Sequence, residues 1–159
     1  MPEKMEARRG LFFEEFVLGQ RIISPGRTIT EADIVNFAGL SGDFTQIHTD
    51  AEYTKNTQSG KRIAHGLLIM SIASGLAART GVLEGTVLVF REISSWKFIK
   101  PVFINDTIRV EMKVKEKKEM RRIGAGAVII ELGVLNQEND VVMKGDWNVL
   151  MAMKPAGNG

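Results

Sequence analysis

The sequence predicts a single domain of the α+β class, in which an antiparallel β-sheet wraps around one long buried helix. The helix is predicted over residues 66–79, where apolar residues surround the whole helical wheel, as in a helix buried on every side. The sheet is predicted from four long segments after residue 87, which are rich in apolar residues and separated by turn residues. A chain of 159 residues, 44% hydrophobic and 25% charged, is long enough to bury one core.

Both ends of the chain are predicted to be flexible tails. Residues 1–10 contain five charged side chains with no apolar run behind them, which also argues against a secretory signal. Residues 155–159 form the second tail, so the domain is expected to span residues 11–154. Its first part mixes aromatic and acidic residues, and the pair Gly19-Gln20 predicts a turn into a short strand.

The first helix is predicted to begin after Thr30. Thr30 is a good N-cap, and Asp33 stands three residues later, as in a capping box. Ile34, Phe37 and Ala38 fall on one face of this short helix, which the glycines within 39–42 are expected to end. Asp50 is expected to cap a second small helix over residues 51–57.

The strands follow the long helix, for which Gly81 is a natural stop. In 108–115 apolar and charged residues alternate strictly, which is typical of a half-buried antiparallel strand. The other strands are predicted within 87–99, 123–135 and 141–153, with turns near 101–106, 116–122 and 136–140. The charged stretch 113–122 is predicted to be a solvated hairpin, because acids interrupt its basic residues.

Composition excludes several classes of protein. The formal net charge is +2, and no long basic run is present, so nucleic acid is not an expected partner. The absence of cysteine excludes disulfides and thiolate metal sites and fits a reducing cytoplasm. The longest uncharged run, 63–78, is shorter than the roughly 20 apolar residues of a membrane helix. We therefore expect a cytoplasmic protein that does not insert into membranes.

The most informative stretch is 41–50, which contains Asp43 and His48, one of only two histidines. A spacing of five residues does not place two side chains on one helical face, but a loop that doubles back could aim both at one small volume. There a carboxylate could take a proton from a water while an imidazole orients it. The alternative is structural: Asp43 caps a backbone amide, and His48 packs in the interior.

Three motifs in this chain resemble those of the MaoC-like, R-specific enoyl-CoA hydratases. The first motif begins with an aromatic residue and a few small residues, followed by Ser-Gly-Asp. A short spacer, an aliphatic residue and the sequence His-x-Asp complete it. The other two follow in the family's order. The three motifs stand at residues 37–50, at Ala64-His65-Gly66-Leu67-Leu68 with Ser74-Gly75, and at Phe98-Ile99-Lys100-Pro101-Val102-Phe103 with Asp106. The chain departs from the family at Thr45-Gln46, where the family has Asn-Pro.

The resemblance implies the hot-dog fold and a homodimer, or a higher assembly of dimers, with active sites near the subunit interface. It implies hydration of an α,β-unsaturated acyl-CoA thioester to an R-3-hydroxyacyl-CoA, with Asp43 as the base and His48 sharing the acid–base work. The apolar neighbours Phe44 and Ile47 are expected to bury Asp43 and raise its pKa. The Ser74 hydroxyl is expected to bond back to the preceding turn of its helix, and the alternative that the resemblance implies is that it lines the acyl pocket.

The remaining site residues flank the start of the long helix. Free amides at a helix N-terminus favour negative charge, and Gly66 leaves room for close approach, so its N–H is expected to bind the thioester oxygen. His65 is interpreted as a structural residue that shapes this entrance. Two histidines and scattered acids lack metal-ligand spacing, so no metal is expected. No redox cofactor is expected either, because no glycine-rich phosphate loop follows a strand, and coenzyme A enters as part of the substrate.

Two other functions remain open from the sequence. A hot-dog thioesterase would also activate water with an acid but would release free thiol, and a binding or regulatory protein would hold acyl-CoA without turnover.

The choice of substrate is a separate question. The Thr45-Gln46 pair and the basic residues Lys61 and Arg62 suggest a polar or branched acyl group, such as one that carries a second carboxylate.

Overall fold

A computed structural model describes residues 10–155, so the predicted tails lie outside the described residues except for Gly10 and Pro155. A single 3-10 turn at Phe13–Glu15 precedes the first strand, and a second, Arg121–Ile123, separates two strands of the sheet. The helices are α1 (Glu31–Ser41), α2 (Gln46–Thr49), α3 (Ala51–Thr54) and α4 (Gly66–Arg79). The strands are β1 (Arg21–Ile23), β2 (Arg27–Thr28), β3 (Val87–Phe98), β4 (Thr107–Met120), β5 (Ala125–Leu135) and β6 (Val141–Ala152).

Helix α1 begins with the predicted capping box. The Asp33 amide donates to Thr30 Oγ1 at 3.3 Å, and the Thr30 amide donates to Asp33 Oδ2 at 2.8 Å. These two bonds satisfy amides that the first turn would leave free. The helix continues through Gly39 and ends at Ser41, because Gly42 adopts the left-handed conformation at φ 77°. This turn sends the chain towards the stretch that contains Asp43.

The sheet has the strand order β1-β4-β5-β6-β3, with all neighbours antiparallel, and β2 pairs with the start of β4. The inward-facing residues of β4, β5 and β6 pack with the buried side of α4 in one continuous core that includes Ile69, Ala73 and Leu76. This arrangement confirms the predicted hot-dog fold, with the long helix lying in a curved antiparallel sheet.

The long helix is not buried all round, contrary to the prediction. Leu67 is 61% exposed, and Ser71, Ser74 and Ala78 follow it on the same outward face at helical spacing. The prediction was wrong because the sheet covers only one side of the helix. No helix in the described part of the chain is long and apolar enough to cross a membrane.

The edge strand β3 is also unusually apolar on its exposed surface. Five of its hydrophobic side chains are between 38% and 53% exposed: Val87, Leu88, Val89, Phe90 and Ile93. Because β3 is paired with β6 on one side only, its other edge has unpaired backbone groups. The described chain therefore exposes apolar side chains along the edge of β3 as well as Leu67 on the uncovered face of α4.

Candidate active site

The loop after α1 brings Asp43 and His48 together. Gly42 turns the chain out of α1, and the one-turn helix α2 carries His48 back, so that Asp43 Oδ2 lies 3.9 Å from His48 Nε2. The two side chains differ in burial, since Asp43 is 45% exposed and His48 is 9% exposed. The carboxylate of Asp43 is therefore accessible to solvent, while the imidazole of His48 is buried.

A backbone carbonyl fixes the orientation of the His48 ring. His48 Nδ1 lies 2.7 Å from the carbonyl oxygen of Ile63, which can only accept, so Nδ1 carries the proton. In the neutral ring, Nε2 is then the acceptor nitrogen, and it faces Asp43 Oδ2. The Ile63 strand segment is itself held in place, because it forms a bridge with Phe103 and the next amide, of Ala64, donates to Val102 at 2.8 Å.

Asp43 is held by Thr45. The Thr45 hydroxyl donates to Asp43 Oδ1 at 2.5 Å, and the Thr45 amide donates to the same oxygen at 3.1 Å. These hydrogen bonds, with smaller help from the nearby imidazoles of His48 and His65, hold the pKa of Asp43 below its usual value. The prediction that burial raises the pKa of Asp43 was wrong, because Phe44 is 62% exposed and shields the carboxylate little. Asp43 is therefore an ionised acceptor at neutral pH.

His65 supports both members of the pair. It is 2% exposed, and its Nε2 donates to the backbone carbonyl of Asp43 at 2.9 Å. Its ring stacks on that of His48, with centroids 3.8 Å apart and an interplanar angle of 26°. Phe37 of α1 packs against the other side of the ring at 5.0 Å. These contacts fit the structural role inferred for His65, and they connect α1, the Asp43 loop and the start of α4.

Helix α4 begins at Gly66, directly after its N-cap residue His65. The His65 side chain caps none of the free amides of the first turn, which leaves them available to an external acceptor. A Cβ at position 66 would lie 2.7 Å from Cε1 of Phe98, so glycine is required while that ring lies against the helix start.

A groove of about 620 Å³ runs along this end of α4 and includes His48 and Gly66. Its volume is in the range of small-molecule sites. The walls are mostly apolar, formed by residues such as Ile47, Ile63, Leu67, Phe98, Val102 and Met143. Among the described groove residues, only Lys100 has an ammonium group. This ammonium pairs with Asp140 at 2.8 Å. An apolar chain with a polar reacting group suits this groove.

Comparison with known protein families identifies the domain. The family model described as "MaoC like domain" matches residues 15–134, which include the Asp43 loop, the start of α4 and most of the sheet. The chain belongs to the MaoC-like domain family.

Several relatives of this MaoC-like chain are named for hydration or dehydration of acyl-CoA compounds. It is 30% identical over 146 residues to a 3-hydroxybutyryl-CoA dehydratase of Methylorubrum extorquens, covering 92% of this chain and 87% of that protein. It is 35% identical over 103 residues to an (R)-specific enoyl-CoA hydratase of Rhodospirillum rubrum, covering 65% and 69%.

Other relatives do not have such names. Protein MaoC of Klebsiella aerogenes is 41% identical over 106 residues, which cover 67% of this chain, but the matched part is 31% of that protein's length. A solved structure titled monoamine oxidase regulatory protein, from Archaeoglobus fulgius, superposes with a TM-score of 0.84 at 37% identity. It covers 94% of this chain and 99% of that one.

Three of the predicted binding residues of this MaoC-like domain lie away from the groove. Ser74 is on the exposed face of α4, about 12 Å along the helix from Gly66, and its hydroxyl donates to the Ser71 carbonyl at 2.6 Å. Arg62 pairs with Glu31 at 2.7 Å. The Lys61 ammonium lies over the Phe103 ring, 4.1 Å from its centroid. Within one subunit, none of the three contributes to the groove beside His48.

The arrangement of Asp43, His48 and His65 does not fit a metal centre, although a donor atom of each lies within 4.8 Å of the others. The two imidazole rings are stacked, so an ion in the plane of one ring would lie well outside the plane of the other. Ligands at about 2.0–2.1 Å need the ion close to both planes. The expectation that no metal is bound stays a prediction.

Sequence reasoning missed three residues of this MaoC-like site. Thr45 was noted only as a departure from the family pattern, and its hydroxyl within reach of Asp43, two residues earlier, was the available signal. Phe98 was named only within the third motif and was given no role in the site, yet it is 56% exposed and covers Gly66. Lys100 was also named only within that motif, because only the fold brings the end of β3 beside the start of α4.

Proposed function

We propose that this protein is a hydratase/dehydratase that adds water reversibly to an α,β-unsaturated acyl-CoA thioester and forms an R-3-hydroxyacyl-CoA. One observation carries the proposal: Asp43 Oδ2 and His48 Nε2, both hydrogen-bond acceptors, face each other across 3.9 Å. Two acceptors at that distance leave a place for a molecule with two protons to donate. Water fits it, with one O–H directed at each.

In the proposed hydration, the bound water attacks the β-carbon. Asp43, an ionised base, takes one proton of the water, and the electrons of the carbon–carbon double bond move onto the thioester oxygen. The resulting enolate oxygen accepts a hydrogen bond from the Gly66 amide, at the positive end of α4. Protonation of the α-carbon by the Asp43–His48 pair completes the addition. Dehydration follows the same path in reverse.

The roles assigned to the other residues follow from their contacts. The Ile63 carbonyl selects the tautomer of neutral His48 with the proton on Nδ1, in which Nε2 can accept a hydrogen bond from water. The mostly apolar groove holds the acyl chain beside the pair, while coenzyme A enters with the substrate and no redox cofactor takes part. The R configuration is carried over from the enoyl-CoA hydratases that the motifs resemble.

The test is hydration of crotonyl-CoA, measured as loss of enoyl-thioester ultraviolet absorbance with a free-thiol assay in parallel. We expect absorbance to fall without thiol release in the wild type and to stay constant with Asp43→Asn, which keeps the shape of the side chain but removes the base. Thiol release would instead identify a thioesterase. Acyl-CoA binding by calorimetry without turnover would identify a binding or regulatory protein. The name of the Archaeoglobus structure, a regulatory protein, favours that alternative.

We also propose that the protein forms a homodimer through the exposed edge of β3 and the uncovered face of α4. Pairing two β3 edges satisfies their free backbone groups and buries the five exposed hydrophobic side chains of that strand. The groove lies next to this surface, since Phe98 at the end of β3 and Leu67 on the exposed side of α4 both line it.

Light scattering after gel filtration tests the dimer. Leu88→Glu puts a charge on the β3 edge, where Leu88 is 53% exposed in one subunit, and it is expected to yield monomers. Ile123→Glu is the matched control, because Ile123 is 57% exposed in the turn before β5, outside the proposed interface. A wild type that is monomeric at micromolar concentration would contradict this assembly.

A further inference from the structure

Thr45 uses its side chain in an unusual way for its position. It is the N-cap of α2, where a threonine normally accepts a hydrogen bond from an amide of its own helix. Here the hydroxyl makes no such cap and instead donates to Asp43 Oδ1 at 2.5 Å. The position is also one at which this chain departs from the Asn of the resembling family.

We infer that Thr45 is the positioning residue of the catalytic base: it holds Oδ1 of Asp43 so that Oδ2 is presented to the water shared with His48. This inference rests on the proposed hydratase function. Thr45 is not among the described residues that line the groove, and its hydroxyl donates to Asp43, so it acts through Asp43.

The backbone of the loop is held by other bonds, which isolates the part played by the Thr45 hydroxyl. The Asp43 amide donates to Ser41 Oγ at 3.2 Å, and the Asp43 carbonyl accepts from His65 Nε2 at 2.9 Å. Neither bond reaches the carboxylate. Since a free carboxyl group rotates about its Cβ–Cγ bond, the two bonds from Thr45 decide which oxygen faces His48.

The same hydroxyl affects the charge of the base. Its hydrogen bond is the largest cause of the lowered pKa of Asp43, ahead of the Thr45 amide. The other titratable groups that face the carboxylate are His48 on α2 and His65 before α4, and both act in the same direction. Loss of the hydroxyl should therefore raise the pKa of Asp43, so that the base is lost at a higher pH than in the wild type.

Thr45→Val is the decisive variant, because it removes the hydroxyl with almost no change in shape and keeps the backbone amide. We expect kcat for crotonyl-CoA to fall by up to roughly 10²-fold, the loss that a small misplacement can cause. KM should stay within about twofold, since binding in the groove is untouched, and the acid limb of kcat/KM should move to higher pH. Thr45→Ser, which restores a hydroxyl, should recover most of the loss.

Thr80→Val is the matched control. It also removes one short side-chain hydrogen bond, to the Ala77 carbonyl at 2.6 Å, but at the far end of α4. Thermal unfolding of each variant separates a folding defect from a positioning defect. Wild-type kcat and an unmoved acid limb in Thr45→Val would overturn the inference, and so would an equal loss of kcat in Thr45→Ser.

A readout without turnover separates this inference from the proposed function. The pKa of the Asp43 carboxyl, followed by carbon NMR, should rise in Thr45→Val and stay low in Thr45→Ser. If the wild type hydrates no enoyl-CoA, the proposed function fails and the inference fails with it, while the NMR titration still reports on the hydrogen bond. If the wild type is active and the pKa does not rise, only the role of Thr45 is refuted.

Discussion

The imidazole rings of His48 and His65 stack with their centroids 3.8 Å apart, and each donates a ring N–H to a backbone carbonyl of the site. His48 donates to Ile63, and His65 donates to Asp43 itself. The residue that precedes α4 is therefore coupled to both members of the proposed catalytic pair. Because both rings are almost fully buried, movement of one must disturb the other.

This coupling predicts different consequences for two substitutions of His65. His65→Phe keeps a ring that can stack on His48 but loses the N–H that holds the Asp43 carbonyl, so kcat should fall by roughly tenfold to 10²-fold. His65→Gln can keep an N–H near that carbonyl but loses the stack, so it should keep more activity and unfold at a lower temperature. Steady-state kinetics and thermal melts check both; more activity in His65→Phe than in His65→Gln would contradict the assigned hydrogen bond.

Removal of Nε2 from His48 should stop catalysis without unfolding the protein. His48→Asn retains an N–H near the position of Nδ1, which can still donate to the Ile63 carbonyl, but it leaves nothing opposite Asp43 Oδ2. We expect kcat to fall by roughly 10²–10⁴-fold, the usual contribution of a positioned acid–base group. A variant that binds acyl-CoA like the wild type yet keeps full activity would show that Asp43 works alone.

A methyl group at position 66 should block the proposed oxyanion site. In Gly66→Ala the Cβ would lie 2.7 Å from the Phe98 ring, so the ring must move from the helix start into the groove. Activity should fall towards the roughly 10²–10³-fold loss seen when an oxyanion donor is removed.

Gly39→Ala is the matched control for that variant, because no atom lies within 4 Å of its added Cβ in α1. It should leave kcat/KM unchanged and stabilise the protein by about 0.5–1 kcal/mol, since alanine is the better helix former. Equal kinetics for Gly66→Ala and Gly39→Ala would remove the α4 N-terminus from the mechanism.

The capping box of α1 predicts a pH-dependent part of the stability. Burial tends to raise the pKa of Asp33, but hydrogen bonds from the Thr30 amide and from Arg27, at 2.6 Å, outweigh it and lower the pKa. A lowered folded-state pKa contributes stability above the ordinary value of 3.8, and that contribution is lost as pH falls through the folded value. Asp33→Asn should therefore lower the free energy of unfolding at neutral pH, with the difference shrinking below pH 3.8.

Urea unfolding at a series of pH values measures this effect. Glu52→Gln is the control, because the Glu52–Lys55 pair is largely exposed and such surface pairs contribute little. A difference between the wild type and Asp33→Asn that is constant with pH would show that the carboxylate charge does not stabilise α1.

Much of the fold followed from local signals in the sequence. Thr30 and Asp33 mark the start of α1 by bonds within four residues, and the alternation in 108–115 marks the strand that is now β4. Gly81, at φ 79°, marks the end of the long helix. These signals can be recognised in the sequence because each depends only on residues that are close together in the chain. The burial of α4 could not be predicted, because the composition of a helix does not show which of its apolar faces the sheet covers.

By itself, the sequence determined which residues are candidates for chemistry. Asp43, His48 and Gly66 were named from motif and spacing, and the structure brings the first two to 3.9 Å and places the third in the same groove as His48. Tertiary structure alone decided the electrostatics and the walls of the site. Asp43 remains exposed and hydrogen-bonded to Thr45, while Lys61 and Arg62 are engaged elsewhere. Burial and long-range partners set the pKa of a group and its access to a pocket, and these depend on how distant segments pack.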